Sequence, residues 1–457
     1  MGFLDKFNIQ TSKKSEKRDE EVSDQPEKQS ELLSGDDFSV DDLYKLKSSD
    51  AILALDIGTE FVKAVIARQD SDKNLEVIGA GRVRQSEGNM YAGAIADIPS
   101  VVKVCEKAVA MAEKMAEVSS KTTVVGIAGE LVKGNTSTVR YRRKNGNKPL
   151  TEQEIALIIK QVQEHAGTKA RKEIADETNN PDAEVRLINS AIVSISIDGY
   201  KISNPVGFKG NDVVIQFYTA FAPLIHISAI EKVCAELNLD LLAVAVEPFA
   251  VCRACLGDDT DSNKFSGIVM DIGGGTTDIA VVDDGGVEGT RMFGVGGRSF
   301  THQIAEILNV DFDTAEKYKI SINNPAKVPA DMRDAMMLSV QRNLAVWLSG
   351  VQITLEEFED IEMLPNKILL CGGGAGLTEL RDVLAGTDWF KGLAFSRRPV
   401  VHLIEAKEIP GIKNSTEVKL DSSYITALGL LRVALDTLIG SPDGAGVRGK
   451  LTKLLQN

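Results

Sequence analysis

The chain has 457 residues, 43% of them hydrophobic, and a formal net charge of −14. That length favours more than one domain with sizeable cores, and the negative charge argues against non-specific nucleic-acid binding. No run of about 18 apolar residues forms a membrane span, no basic region leads into an apolar core as in a signal peptide, and the five cysteines suit a reducing compartment.

Phe3, Leu4 and Phe7 share one face of a short helical start, and apolar residues stranded there need a partner surface. Residues 10–50 are rich in Lys, Glu, Asp and Ser and read as a disordered acidic tail. Within it, Phe38, Leu43, Tyr44 and Leu46 are either a lead-in to the first strand or a short partner-binding motif.

An apolar run then meets Asp56-Ile57-Gly58-Thr59, and a second apolar run follows from Phe61 to Ala67. The pattern predicts a β-hairpin with a tight tip. Asp97 to Met115 predicts a long amphipathic helix, and Thr122 to Ile127 a strand. Arg140, Arg142, Arg143, Lys144 and Lys148 bracket Asn145-Gly146, a hairpin-turn signal. This reads as a solvated basic hairpin, with contact to a neighbouring subunit or acidic partner, or last to nucleic acid, as the alternatives. Thr151-Glu152-Gln153-Glu154 reads as a capping box for the next helix. Cys252 and Cys255 form a lone C-x-x-C in a helical pattern: small buried helix residues on one reading, metal or redox chemistry on the other.

Ile268 to Thr276 repeats the first hairpin signal as Asp271-Ile272-Gly273-Gly274-Gly275-Thr276, with Thr277 and a second apolar run, Ile279 to Val282, behind it. Glycine lets backbone approach a phosphate closely, and exposed N–H groups at such a tip form an anion-binding concavity. Thr59, Thr276 and Thr277 add hydroxyl donors. Two facing hairpins make a clamp for a nucleoside triphosphate. Asp56 and Asp271 repel phosphate, so they make sense with Mg²⁺ between them and the phosphates, held through waters. Lys63 supplies a cation. Met332 to Glu359 predicts one or two helices with charged faces. Ile368 to Leu377 runs a strand into Gly372-Gly373-Gly374, a surface on which ribose and adenine can lie. No G-x-x-x-x-G-K-[ST] motif is present, so the site is not a Walker-type loop. After a Gly- and Pro-bearing linker at 441–446, Val447, Leu451, Leu454 and Leu455 line one face of a short basic helix suited to an anionic membrane surface.

The order Asp-Ile-Gly-Thr, Asp-Ile-Gly-Gly-Gly-Thr-Thr-Asp and Gly-Gly-Gly-Ala resembles the actin, MreB and heat-shock chaperone ATPase superfamily. The stretch between the first hairpin and residue 210 resembles the inserted subdomain of the bacterial cell-division family FtsA. The resemblance implies an α/β, actin-like two-lobed ATPase fold binding ATP and Mg²⁺ in its cleft. It implies nucleotide contacts from Gly296 and Gly297, adenosine contacts from Glu316 and Lys319, and a water-orienting role for Glu247; the alternative for Glu247 is a helix-start acid favoured by the macrodipole. The expected organisation is a tail at 1–50; a first lobe at 51–88 and 211–260; an inserted subdomain at 89–210; a second lobe at 261–300 and 359–440; a helical subdomain at 301–358; and a linker with a membrane-targeting helix at 441–457.

The function implied is a polymerising, slowly hydrolysing scaffold that ties the FtsZ C-terminal tail to the inner membrane face and recruits other division proteins. A platform similar to the pilus-assembly protein PilM, which shares the insertion, is the rival. A sugar-kinase-like enzyme is a third reading, but no substrate-pocket signature lies between the motifs.

Overall fold

The computed structural model describes residues 47–48, 51–70, 74–128, 132–202, 204–256, 265–322, 327–358, 361–386 and 388–439. The expected amphipathic helix at 447–455 and the N-terminal motifs therefore lie outside the described residues.

After a two-residue strand β1 (Lys47–Ser48), a meander forms from β2 (Ile52–Ile57), β3 (Phe61–Gln69) and β4 (Leu75–Arg84). A small pair, β5 (Met90–Tyr91) and β6 (Ala94–Ile95), leads into α1 (Ile98–Ala116), β7 (Val118–Ser119) and β8 (Thr122–Ile127). Asp97 caps α1 by accepting from the Ser100 amide at 3.2 Å. Val101, Cys105, Ala108 and Ala112 are buried at helical spacing, and α1 packs on β3 and β4. β8 pairs parallel with β2. Residues 98–127 thus belong to the first lobe, not to the expected insertion at 89–210: their apolar face completes the meander's core.

The inserted unit is β9 (Lys133–Arg142), α2 (Glu152–Thr178), β10 (Val185–Ile197), β11 (Tyr200–Lys201) and β12 (Asp212–Pro223). Its core packs Ile155, Ile158 and Ile159 of α2 against Ile195, Ile215 and Phe217. Asn145-Gly146 is not a hairpin tip. β9 pairs antiparallel with β12, some 70 residues on, and the turn simply leads to α2. Nor is Arg143 solvated. It is buried, paired with Glu154 at 2.8 Å, and it donates to the carbonyl oxygens of Lys148, Pro149 and Gly210. Thr151 caps α2 by accepting from the Glu154 amide at 3.2 Å, but the Glu154 carboxylate goes to Arg143 instead of closing the box.

The chain returns to the first lobe through α3 (Leu224–Glu236), β13 (Asp240–Val246) and α4 (Glu247–Leu256). The second lobe repeats the plan: a meander of β14 (Gly267–Ile272), β15 (Thr277–Asp283) and β16 (Gly286–Phe293), then helices α5 (Gly297–Leu308), α6 (Phe312–Ile320) and α7 (Arg333–Glu356). The segment expected as one or two helices is thus essentially the single helix α7. β17 (Lys367–Cys371), α8 (Thr378–Leu384), β18 (Val400–Leu403), β19 (Ile412–Asn414) and α9 (Ile425–Ile439) complete the described chain.

Two sheets result. One runs β13-β8-β2-β3-β4-β19. The other runs β11-β10-β12-β9-β16-β15-β14-β17-β18, so the insertion's strands continue the second lobe's sheet through two residue pairs between β9 and β16. α4 and α9 pack on each other between the sheets, α9 on β2 and β8, α4 on β14 and β15. Their approach is close enough that a Cβ on Gly429 would stand 2.3 Å from the Ala250 carbonyl oxygen. Cys252 is part of this packing, and burial pushes the thiols of Cys252 and Cys255 up, the latter to about 12, as expected for small helix residues. Among the described residues no helix is long and apolar enough to cross a membrane.

Candidate functional site

Both hairpins form as their sequences predict, and they bring paired residues to the cleft. In the first, Asp56 lies directly across from Lys63. Their side chains are buried and joined at 2.7 Å. Burial opposes the Lys63 charge, but Asp56, with Asp271 beyond it, outweighs that and raises the lysine pKa. In the second hairpin, Asp271 lies across from another acid, Asp278. Burial raises Asp271, while a hydrogen bond from the Thr426 hydroxyl on α9 and the charge of Lys63 hold it back. Burial and the neighbouring Asp271 push Asp278 up to about 8, against a 3.0 Å bond from the Thr276 hydroxyl.

Glu247 opens α4 and lines the same cavity. Burial first, then Asp56, Asp278 and Asp271, raise it well above the usual carboxylate range. The helix-start position and the cavity position therefore coincide.

The cavity measures about 300 Å³ and is lined by both hairpin tips, Lys63, Arg82, Glu247 and the glycines 372–374. Glu316 and Lys319 line it too, paired on α6 at 2.7 Å. The lysine also donates to the Gly297 carbonyl at 3.0 Å and to Thr301 at 2.8 Å. Of the expected ligand-binding residues, Gly58, Thr59, Gly273, Gly274, Thr276, Gly297, Gly372, Gly373 and Gly374 reach the cavity, as do the expected metal residues Asp56 and Asp271.

Three expected residues do not line it: Gly275, Gly296 and Thr277. Thr277 is fully buried; its hydroxyl donates to the Val295 carbonyl at 2.8 Å and accepts from Trp347 Nε1 at 2.9 Å. As the first residue of β15, its side chain is directed into the lobe core rather than toward a phosphate. Gly275 faces the other hairpin, where a Cβ would stand 3.1 Å from Thr59. Gly296 packs under its own tip: a Cβ there would stand 2.7 Å from the Gly273 carbonyl oxygen. The next two amides, of Gly297 and Arg298, donate to Gly273 and Gly274 at 2.9 and 2.7 Å. The start of α5 is thus spent on holding the tip.

Sequence reasoning missed Asp278, Arg82 and Thr426. Asp278 was legible as the last residue of the second motif; the other two reach the cavity through strand register and helix placement. It also missed a set of ion pairs across the cleft mouth. Glu60 at the first tip accepts from Arg84 at 2.7 Å and from Arg298 of α5, and Arg84 also reaches Asp313 of α6 at 2.7 Å.

The charges around the cavity can be paired off as Asp56 with Lys63, Glu60 with Arg298, and Glu316 with Lys319. Glu247, Asp271 and Asp278 remain on the acidic side, and Arg82 on the basic side. Among the described residues no three His, Cys, Asp or Glu side chains are grouped to ligate a metal directly. Buried acids in excess, not grouped as ligands, fit a magnesium ion that keeps its waters, and a free guanidinium fits a phosphate.

A family model described as cell division protein FtsA matches residues 268–442. FtsA of Pseudomonas aeruginosa is 25% identical over 415 residues, covering 86% of this chain and 91% of that protein. FtsA of Enterococcus hirae is 25% identical over 350 residues, covering 72% and 75%. The solved PilM-PilN type IV pilus biogenesis complex contains a chain of similar fold, with a TM-score of 0.61 at 17% identity, covering 84% of this chain and 98% of that one. The FtsA family model thus falls on the second lobe, the chain is similar to FtsA proteins along most of its length, and its fold is actin-like.

Proposed function

We propose that the protein is a nucleotide-switched scaffold of the division machinery: it binds ATP with Mg²⁺ between its lobes, polymerises, and links the FtsZ C-terminal tail to the cytoplasmic face of the membrane at the septum. The observation that carries the nucleotide half is the charge left over in the cavity, three acids facing one guanidinium between two glycine-tipped hairpins.

The chain's own residues divide the work. The glycine tips at 58 and 273–274, with Thr59 and Thr276, approach the phosphates. Lys63 offsets phosphate charge while remaining tied to Asp56. Asp56, Asp271 and Asp278 would hold the metal, which would supply charge neutralisation at the phosphates. Glu316, Lys319 and the glycines 372–374 take the adenosine. Glu247 orients the attacking water through its carboxyl. Burial and the neighbouring Asp56, Asp278 and Asp271 raise that carboxyl above its ordinary range.

Closure would be read by the ion pairs around Glu60, which join the first tip to α5 and α6. The helical subdomain would receive the FtsZ tail, the insertion would make filament contacts, and Val447, Leu451, Leu454 and Leu455 would lie on anionic lipid. A short single anchor binds weakly, so polymerisation would supply avidity. The pilus-platform reading rests on likeness of fold at 17% identity and is the weaker one.

The test is titration of a labelled FtsZ C-terminal tail peptide into the full chain with ATP and Mg²⁺. Saturable binding that is lost on altering the helical subdomain is expected. No binding by folded, ATP-loaded protein would move the assignment to the pilus platform.

A further inference from the structure

The sheet register sets three charged side chains in a row across the first lobe. Asp56 on β2 faces Lys63 on β3, and Lys63 faces Arg82 on β4. Lys63 is neutralised by Asp56. Arg82 is not: among the described residues no carboxylate pairs with it, its Nε is buried, and that nitrogen has no hydrogen-bond partner. Its guanidinium is nonetheless held in place. The central carbon sits 3.8 Å from the centroid of the Phe61 ring, one strand away and two residues along. The side chain lines the nucleotide cavity.

Like charges on directly opposed strand positions cost stability, and a buried donor without an acceptor costs more. Such an arrangement is worth keeping when a ligand supplies the missing acceptor. An anionic acceptor would also meet the guanidinium charge that no carboxylate meets, and planar two-point recognition of a phosphate is what a guanidinium does better than an ammonium. The glycines 372–374 and the Glu316–Lys319 pair are on the second lobe, where the proposed function puts adenosine. Arg82 enters from the first lobe.

We propose that Arg82 engages the terminal phosphate of the bound nucleotide and so sets the preference for triphosphate over diphosphate. This rests on the nucleotide reading above. It adds the residue by which the protein tells the two nucleotide states apart, and Asp56–Lys63–Arg82 becomes a graded row in which only the last member awaits its partner.

The experiment compares the full chain with Arg82→Gln and Arg82→Lys, titrating Mg-ADP and the slowly hydrolysed Mg-ATPγS separately, and measuring melting of each protein without nucleotide. Arg82→Gln is expected to weaken Mg-ATPγS by about tenfold or more, the scale of a lost charge-assisted hydrogen bond, with a much smaller change for Mg-ADP. Arg82→Lys, which keeps the charge but not the fork, falls between. Nucleotide-free melting of Arg82→Gln is expected to stay level or rise, since an unsatisfied donor has gone. Equal affinity of Arg82→Gln and the natural chain for Mg-ATPγS overturns the proposal. So does an equal loss for both nucleotides, or a lowered nucleotide-free melting point, because either marks a structural role. If the natural chain binds neither nucleotide, the cavity reading itself falls and takes this proposal with it.

Discussion

The two hairpins differ in charge at the matched position across from each aspartate. Each aspartate faces the residue seven places later across its own hairpin: Lys63 opposite Asp56, but Asp278 opposite Asp271. The first hairpin therefore carries its own counter-charge, joined at 2.7 Å. The second holds two buried acids relieved only by hydroxyls, Thr426 on Asp271 and Thr276 on Asp278. A repeated backbone has been given opposite electrostatic duties. The first hairpin is charge-balanced at this pair, and the second carries two acids with no counter-charge of its own.

Breaking the first pair should have the largest effect. Lys63→Met leaves Asp56 buried without its cation, at a cost of ~3–5 kcal/mol, read as a lowered urea midpoint together with loss of nucleotide binding. A Lys63→Met protein of unchanged stability would mean that Asp56 is not dependent on its partner. Next comes the supposed phosphate ligand that the fold turned inward. Thr277→Val strands the Trp347 indole N–H and should cost ~1–3 kcal/mol, with nucleotide affinity unchanged; a selective loss of affinity would restore Thr277 to the site.

The second hairpin's acids are tested by pH. Between pH 3.8 and about 8 the folded chain holds the Asp278 proton that the unfolded chain has released. Stability should therefore fall as pH rises through that window. Asp278→Asn removes this slope, so without nucleotide it should exceed the natural chain in stability at pH 8, and the gap should close toward pH 4. Parallel pH profiles for the two proteins would contradict the assignment. The smallest effect is expected at the cleft mouth. Glu60→Gln weakens the pairs with Arg84 and Arg298, which are partly exposed, and should cost under ~1 kcal/mol. Its signature is a faster nucleotide off-rate, which tests whether the lobes are held shut there.

Much of this was legible from residues alone. Apolar runs broken by Asp-Ile-Gly fixed both hairpins, because strand alternation and glycine turn chemistry are local. Asp97 and Thr151 announced α1 and α2 for the same reason, since a cap is satisfied within one turn. Errors came where the partner was distant. The Asn145-Gly146 turn signal was real, but β9 found its partner in β12, whose register outweighs a two-residue turn. Arg143 looked like one more surface cation until Glu154 and three carbonyls enclosed it. The lobe membership of α1 and β8 depended on which sheet their apolar faces completed.

The sequence by itself determined the hairpin strands, the tips, the acids at the tips and the resemblance to FtsA, since each is written in contiguous residues. Only the tertiary structure decided which side chains are left without a partner. Charge compensation is a property of neighbours in space: Lys63 is spoken for and Arg82 is not because β3 and β4 align them with Asp56 in one row, and that alignment appears in no single stretch of the chain.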